Sequence, residues 1–509
     1  MSVSIAEGER ISEPSERLGS WTTRLLVILV FLFLTVVLTY PLVLNLRTAV
    51  PGPPWDNFVW LYDLWWFRHS IVDLGQFPTF NPTIFYPYGY DLSLSETMYA
   101  NKALIAPFLF WGDEVLAFNA FLLLSFLLTA YTTYLLIAYL TDNVYAAVVG
   151  GTIFAFCPYR MHAMAAGWLP LLATQWIPLV FLYLERTIRE SKARYGLAAG
   201  FFMALTALSS WYYVYIVGSM VALYLLIRLR PWKEHWQQPF LVRNLALAAI
   251  VVSVMVLPVA LPVVLGRSGQ MGWSLTEVEK WATSLDDFFL PNVYHPLWGS
   301  YFLNLRAYTL RYPWYAPGFV YLGGVALILA ALGAFHKSDR GQTKRAVVWL
   351  GLVSFVLALG VVLHWGNAVV ELSVSPAVEK FFARGMSTLM SKWALNKASY
   401  YEITFRSGTI PIPLPGMLVY LFAPLGNAMR TLYRFGLMTA FAISILAGMG
   451  AARILGGGRS IPKAVPVMGR DIAGTEPPQR KSPWGRIIGS VLLVSLVAFD
   501  FCSVPLAYG

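Results

Sequence analysis

The sequence has 509 residues, of which 58% are hydrophobic and only 12% are charged. Residues 25–45 contain no charged side chain over a length that crosses a bilayer, which indicates a polytopic membrane protein. The net charge of +11 does not indicate a nucleic-acid partner, because Lys and Arg are concentrated in short alternate connections. By the positive-inside rule these connections, and the N-terminus with them, are predicted to be cytoplasmic.

Apolar segments predict an all-α membrane protein with about eleven transmembrane helices, each requiring roughly 20 residues. Residues 144–158 and 195–210 are short for spanning helices. We therefore expect thin or tilted segments around a cavity there, because broken helices are tolerated where they are buried in protein or line water. The predicted spans are 23–46, 115–140, 144–158, 169–185, 195–210, 212–229, 243–264, 317–335, 346–365, 434–455 and 486–504.

Three long connections are predicted on the outer side, and their Pro, Trp and Tyr content is typical of ordered loops with short interfacial helices. Because the cytoplasmic side has only one long and flexible loop, any chemistry is expected at the outer face. The predicted organisation is a cytoplasmic segment at 1–22, a transmembrane domain at 23–455 with outer loops 47–114, 265–316 and 366–433, a cytoplasmic loop at 456–485, and a last helix with an outer C-terminus at 486–509.

The first outer loop contains two acids at helical spacing. A helix that begins near Asn57 would place Asp56, Trp60, Asp63 and Phe67 on one face, since offsets of four and seven return to the same side. Asp56 is then either a catalytic carboxylate or the N-cap of this helix. Asp63 is either a second functional acid or an interfacial residue that is solvated or paired with Arg68.

The second outer loop contains Asp286, Asp287 and, eight positions later, His295. Adjacent carboxylates repel, so one of them can titrate high and act as an acid or base; alternatively, either caps a short helix. No metal signature accompanies them, because the chain has six His residues and none lies in an HxxxH or HxH pair.

Other candidates lie at predicted outer ends of helices. Arg160, His162 and Arg434 suit a phosphate, because a guanidinium offers a planar set of donors; interfacial snorkelling to lipid headgroups explains the arginines equally well. Trp211 and Tyr212, in SSWYYVY, suit stacking on a sugar face or an ordinary aromatic belt. Walker A, GxGxxG, GxSxG and CxxC motifs are absent. An enzyme of this kind would therefore take a donor that is itself in the membrane.

Six segments within residues 50–455 carry a family pattern: WDNFVWLYDLWWFRHSI, FNPTIFYPYGYDL, AFCPYRMHAMAAGWLPLLATQWIPL, ALTALSSWYYVYI, DDFFLPNVYHPLWG and LYRFGLMTAFAISILAGMG. This pattern resembles the GT-C superfamily of polytopic glycosyltransferases, and within it a bacterial subgroup. The superfamily uses polyprenyl-phosphate-linked sugars. The resemblance implies a cell-envelope transferase in the bacterial inner membrane, which moves a hexosyl or pentosyl group to a glycan, lipid or protein acceptor at the outer face.

In the same resemblance, the family's first-loop acid corresponds to Asp56, which implies that Asp56 deprotonates or orients the acceptor hydroxyl. Arg160 or Arg434 would receive the departing phosphate. The family's acidic pair reads Asp56-Asn57 here, so no cofactor is firmly expected and a divalent metal, Mg or Mn, stays an open alternative. Members of the subgroup continue into an outer soluble domain after the last span, so the resemblance implies a shorter form or a fragment.

A second hypothesis is a non-catalytic membrane protein, either a lipid or glycolipid transporter or a structural subunit of a complex. Transporters often bury ionisable residues at the membrane midplane and show inverted repeats, whereas the charges here are predicted at helix ends and no repeat is visible. The two hypotheses differ at Asp56. Convergence of Asp56 with an arginine in an outer cavity favours the enzyme, and a carboxylate that only caps its helix favours the subunit.

Overall fold

A computed structural model describes residues 21–266, 272–291, 293, 295–306, 319–335, 341–366, 368–403, 405–456 and 482–503. These residues are mostly helical. The helices are α1 (Trp21–Leu38), α2 (Asp56–Val72), α3 (Tyr99–Trp111), α4 (Glu114–Thr141), α5 (Val144–Ala155), α6 (Pro158–Ala165), α7 (Ile177–Glu190), α8 (Ala193–Ser209), α9 (Trp211–Arg228), α10 (Trp232–Trp236), α11 (Pro239–Gly266), α12 (Leu275–Lys280), α13 (Gly299–Arg306), α14 (Gly324–Phe335), α15 (Gly341–Ala358), α16 (Pro376–Thr388), α17 (Pro415–Phe422), α18 (Gly436–Ile454) and α19 (Pro483–Asp500).

Short antiparallel strand pairs occur only in the connections between helices of the described chain. The first two pairs close local turns, the third joins segments on either side of α16, and none adds a layer to the helical bundle. The pairs are β1 (Phe80–Asn81) with β2 (Tyr90–Asp91), β3 (His364–Trp365) with β4 (Ala368–Val369), and β5 (Glu371–Ser373) with β6 (Thr409–Pro411).

Helix α18 lies at the centre of the bundle and packs against α5, α14 and α15. Gly333 of α14 and Gly450 of α18 allow the closest crossing, because a Cβ at either position would lie 2.0 Å from a carbonyl oxygen of the facing helix. Helix α4 packs on α5 and α7, and α8 packs on α7 and α11. The apolar side chains of α1, α11 and α19 are largely exposed, as expected of helices that face lipid.

The expectation of a helical multi-pass membrane protein is confirmed. A helix overlaps each of the eleven predicted spans, but only six described helices are long and apolar enough to cross a membrane by themselves, or up to seven if α5 and α6 form one span bent by 40°. The count of eleven is therefore not confirmed. Most of the predicted N-terminal segment and cytoplasmic loop, with parts of the second outer loop, lie outside the described residues.

The described part of the first long loop packs against two other connections at one end of the bundle. Its backbone at Gly52 approaches Ala165 at the end of α6 so closely that a Cβ would lie 2.0 Å from the Ala165 oxygen. Farther along, Glu96 accepts hydrogen bonds from Ser210 and Trp211 at the turn between α8 and α9. These contacts bring segments more than one hundred residues apart to the start of α2.

Candidate functional site

The start of α2 is built by Asn57, not by Asp56. The Asn57 side chain is buried; its Oδ1 accepts hydrogen bonds from the backbone N–H groups of Trp55 and Phe58, each at 3.0 Å, and its Nδ2 donates to the Pro51 carbonyl at 3.2 Å. Trp55 occupies the N-cap position without a side-chain cap, and Asp56 is the first helical residue. The interpretation of Asp56 as the N-cap is therefore wrong, because Asn57 takes up the local backbone donors and leaves the Asp56 carboxylate available.

The turn after α6 presents Trp168 to this carboxylate. Gly167 has a φ of +71°, and a Cβ there would lie 2.6 Å from the Asn57 backbone nitrogen, so a side chain is excluded on both conformational and steric grounds. Close packing of Gly167 on Asn57 places the next residue, Trp168, beside Asp56, where its side chain donates a hydrogen bond to the carboxylate.

Asp56 lies in a field of two arginines. Partial burial raises the pKa of the Asp56 carboxyl above its ordinary value, and this effect exceeds the opposing effects of the Trp168 hydrogen bond and of attraction to Arg434 and Arg430. One side of Asp56 remains open, since the residue is exposed to solvent. A carboxylate that is partly desolvated and still accessible has the properties of a general base.

Arg434 is the principal cation of the site. It lies just before α18, is only 8% exposed, and its Cζ lies 3.8 Å from the Tyr212 ring centroid and 5.8 Å from that of Trp168. Tyr433 also hydrogen-bonds to it. Within the described part of the chain, the Nε and Nη1 of Arg434 are buried without a hydrogen-bond partner. Buried guanidinium donors are costly when unpaired, so this site is suited to an anion.

Arg430 is a second cation, four residues before Arg434, which the sequence interpretation did not include. Its Cζ lies 4.6 Å from the Trp273 ring centroid and 4.8 Å from that of Trp281. These two tryptophans belong to the second long loop. Arg430 therefore connects that loop to the Asp56 site. From the sequence, Asp286 and Asp287 were the second-loop residues expected at the site.

Glu96 is a third acid that was not predicted. Its carboxylate is partly buried and accepts hydrogen bonds from Ser210 Oγ at 3.1 Å and from the Trp211 backbone N–H at 3.0 Å. Burial raises the pKa of Glu96, while these donors and Arg434 act in the opposite direction. Glu96 thus fixes the turn between α8 and α9. This turn positions the Tyr212 ring against Arg434. Trp211 is occupied in the same junction, because its Nε1 donates to the Ser95 carbonyl at 3.1 Å.

Asp63 belongs to an ion pair beneath the site. Its carboxylate lies 2.8 Å from Lys102 Nζ of α3, and both side chains are largely buried. Burial raises the pKa of Asp63 and the Lys102 charge opposes that rise. Asp63, Lys102 and Glu96 line one small cavity. The two acids of α2 therefore differ in environment, because Asp56 faces the open side whereas Asp63 is paired with a lysine.

Arg160 is in the protein core and is not a candidate for phosphate binding. It is fully buried, and its guanidinium donates to Ala155 O at 2.5 Å, Ser125 Oγ at 2.7 Å and Leu172 O at 3.1 Å, with Cζ 4.3 Å from the Phe126 ring centroid. Arg160 therefore joins α4, α5 and the segment after α6. A phosphate would have to displace these contacts, which corrects the expectation for this residue.

Asp286 and Asp287, the acids of the second long loop, accept hydrogen bonds from other loop residues. Asp287 is buried, and its Oδ2 accepts from Thr283 Oγ1 and from the Ser284 N–H, each at 3.1 Å, in a capping box. Asp286 Oδ1 accepts from the Gly366 N–H at 3.2 Å. For Asp287 the capping alternative is therefore the one that the structure supports, and neither acid is placed beside Asp56 by these contacts.

His295 and His162 both pack against tryptophan side chains. His295 is buried; its Nε2 donates to the Phe499 carbonyl at 2.9 Å, its Nδ1 accepts from the Leu297 N–H at 3.2 Å, and its ring stacks on Trp298. His162 packs edge-on against Trp168 with ring centroids 5.2 Å apart. Both ring nitrogens of His295 are thus occupied by backbone groups, which does not fit the phosphate binding expected of this residue. His162 instead packs against the Trp168 indole that contacts Asp56.

The donor set at Asp56 does not fit a divalent metal. Mg²⁺ and Mn²⁺ require several oxygen ligands, but the charged groups that act on Asp56 are the arginines at 430 and 434. The Oδ1 of the following residue, Asn57, is occupied by two backbone donors. Across the described residues, His, Cys, Asp and Glu form no group of three suited to a metal.

The fold is similar to that of the arabinofuranosyltransferase AftD from Mycobacteria, with a TM-score of 0.50 and 12% identity over 95% of this chain and 26% of that chain. The structural neighbours AftD and AglB are GT-C glycosyltransferases. Two structures of the oligosaccharyltransferase AglB from Archaeoglobus fulgidus, one with an inhibitory peptide and a dolichol-phosphate and one in the apo form, give TM-scores of 0.40 and 0.42 at 13% and 16% identity. Each match covers 95% of this chain and 56% of theirs.

By sequence, the chain belongs to the family defined by the domain of unknown function DUF6311, whose model matches residues 25–387. No curated protein matches it. The chain spans about a quarter of the AftD chain and about half of the AglB chain. At these identities the structural similarity identifies the fold, and the chemistry has to be argued from the site itself.

Proposed function

We propose that the protein is a membrane glycosyltransferase that moves a sugar from a polyprenyl-phosphate donor to an acceptor hydroxyl. The observation that carries this proposal is the pairing of an accessible carboxylate, Asp56, with Arg434, a buried arginine with two donors that have no partner among the described residues. One group accepts a proton and the other accepts a departing anion. The GT-C fold supports the same class of reaction, since AftD carries the name of a glycosyltransferase.

In the proposed reaction, Asp56 takes the proton of the acceptor hydroxyl as that oxygen forms a bond to the anomeric carbon of the donor. The bond between this carbon and the phosphate oxygen breaks, and its electron pair leaves with the polyprenyl phosphate. Arg434, assisted by Arg430, stabilises the charge that develops on the phosphate. Trp168 orients the carboxylate through its hydrogen bond. No step requires a metal.

We further propose that this site lies at the extracytoplasmic face of a bacterial inner membrane. The positive-inside distribution of Lys and Arg supports this orientation. A lipid-linked donor would then enter from the bilayer with its phosphate at the depth of the interface. The donor sugar, hexosyl or pentosyl, and a glycan, lipid or protein acceptor remain alternatives within this proposal.

Within the competing hypothesis of a non-catalytic transporter or subunit, the subunit would be favoured by an Asp56 that only capped its helix against a closed surface. Asp56 is instead outside the N-cap position, open on one side, and opposed by two arginines. A structural subunit has no requirement for an arginine with buried, unpaired donors. These observations favour the enzyme.

The proposal is tested with the Asp56→Asn variant in detergent-solubilised protein. The assay measures release of polyprenyl phosphate from a panel of polyprenyl-phosphate hexose and pentose donors. Because Asn cannot accept the proton, we expect transfer to fall by roughly 10²- to 10⁴-fold while the melting temperature is retained. Asp73→Asn, at the C-cap of the same helix, is the matched control, since Asp73 is exposed and pairs with His69. Native-like transfer by Asp56→Asn, measured with a donor that the native protein uses, would exclude Asp56 as the base.

A further inference from the structure

A second concave site lies at the end of α9 that is remote from Asp56. It is an open pocket of about 530 Å³, a size that accommodates a small ligand or headgroup. The pocket lies between the turn that joins α9 to α10 and the first residues of α15. Its lining residues are Ile227, Arg230, Pro231, Trp232, Gln342 and Arg345.

The charge of this pocket is positive. Two of its lining residues, Arg230 and Arg345, are exposed arginines, and none of the described lining residues is acidic. The adjacent Arg228 differs, because its Nε lies 2.7 Å from the buried Glu185 carboxylate, which also pairs with Arg189. Arg230 and Arg345 therefore supply two positive charges to the pocket beside an arginine that already has a protein partner.

The pocket is held in a defined shape by hydrogen bonds. Gln342 accepts from Arg228 Nη1 at 3.2 Å and donates to the Arg230 carbonyl at 2.9 Å, which fixes the turn against α15. Trp232 Nε1 donates to the Leu226 carbonyl at 2.8 Å, so that the indole orientation is set. The Arg230 Cζ lies 5.5 Å from the Trp232 ring centroid. An arginine on an indole that is partly exposed is typical of the lipid–water interface.

Helix α9 gives the separation between this pocket and the Asp56 site. Its first residue, Trp211, bonds to Glu96 beside the site, and its last, Arg228, is next to the pocket. The helix has 18 residues, which at ~1.5 Å per residue span about 27 Å, close to the thickness of the hydrocarbon layer. The pocket and the candidate site therefore lie at opposite bilayer surfaces. The basic connection at 228–243 predicts that the pocket is at the cytoplasmic one.

We propose that this pocket binds the phosphate of an anionic phospholipid of the cytoplasmic leaflet. Arg230 and Arg345 donate hydrogen bonds to the phosphate oxygens, and Ile227 and Trp232 contact the glycerol and the upper acyl chain. The combination of two guanidinium groups with apolar surface at interfacial depth fits a lipid headgroup better than a free ion. This site is independent of the proposed glycosyl transfer, since it shares no residue with the Asp56 site.

The test compares the purified full chain with the Arg230→Gln/Arg345→Gln variant in detergent. Binding of dioctanoyl phosphatidylglycerol, dioctanoyl phosphatidylcholine and inorganic phosphate is measured by native mass spectrometry and by the shift in melting temperature. Each arginine near a membrane surface contributes roughly a fivefold effect on affinity, so we expect phosphatidylglycerol binding to weaken about thirtyfold in the double variant. Phosphatidylcholine binding should be weak in the native protein and unchanged by the substitutions.

Arg384→Gln/Arg406→Gln is the matched control, because it removes the same charge from a distant loop, and it should retain native affinity. The Arg230→Lys/Arg345→Lys variant keeps the charge and should bind phosphatidylglycerol with intermediate affinity. Equal phosphatidylglycerol affinity in the native and Gln variants would overturn the proposal. Saturation of the pocket by inorganic phosphate as readily as by phosphatidylglycerol would also overturn it, since the ligand would then be a free anion.

Discussion

Arg434→Gln is the substitution that separates the two parts of the proposed mechanism. It removes the positive charge that faces Asp56 and the two buried donors that have no protein partner in the described chain. Without a bound anion, burial of these unpaired donors costs free energy in the native protein. Their removal is therefore stabilising in the ligand-free state. The lost contacts with Tyr212 and Tyr433 oppose that gain. We therefore expect the melting temperature to stay near the native value.

The expected loss of activity follows from the same two donors. A hydrogen bond to a charged partner contributes roughly 1.5–3 kcal/mol. If both donors bind the departing phosphate in the transition state, their loss slows transfer by on the order of 10²- to 10⁴-fold. The effect falls on kcat more than on KM, because the phosphate gains charge only as the glycosidic bond breaks.

The pH dependence provides an independent check. Arg434 lowers the pKa of Asp56, although burial raises it more. Without this arginine, the pKa of Asp56 rises further. A base is active when deprotonated, so activity is lost as pH falls through its pKa, and the acid limb of kcat/KM should move to higher pH in Arg434→Gln.

The assay is release of polyprenyl phosphate across a pH series, with Arg384→Gln, an exposed arginine on α16, as the charge-matched control. The control should keep both the rate and the position of the acid limb. A rate for Arg434→Gln within threefold of native would refute the role of Arg434 in stabilising the leaving group. A slow variant whose acid limb does not move would refute its electrostatic coupling to Asp56.

Two further substitutions test how the site is built. In Trp168→Phe, the hydrogen bond that lowers the Asp56 pKa is lost, so the acid limb of the pH–rate profile should move upward by about 0.5–1 pH unit; an unchanged limb would show that the indole does not orient the base. Gly167→Ala should lower the free energy of unfolding by roughly 1–3 kcal/mol, because its Cβ would overlap Asn57. Gly75→Ala is the control, since it has a similar φ of +62° with no atom within 4 Å; equal losses in thermal or denaturant unfolding would show that backbone strain, not the overlap, sets the cost.

The sequence by itself determined the protein class and the segment that matters most. Long uncharged runs require helices in a bilayer, because no other local structure satisfies every backbone group there. Asp56 was identifiable as a candidate because it shares a predicted helix face with aromatic residues and corresponds to the first-loop acid in the family resemblance. Arg434 was a candidate because a guanidinium at a predicted helix end suits a phosphate, and the structure places both residues at one site.

Only the tertiary structure decided which charged residues meet. Arg160 and Arg434 have the same local character at a predicted helix end, yet Arg160 has both terminal nitrogens, Nη1 and Nη2, hydrogen-bonded in the core, whereas Nη1 of Arg434 has no partner in the described chain. That difference depends on distant residues, such as Ser125 on α4, whose position is fixed by helix packing. Glu96 and Arg430 were missed for the same reason: each acts on residues far away in the chain. Spacing along a chain predicts which side chains share a helix face, but it carries no information on contacts between elements, and the candidate site consists of such contacts.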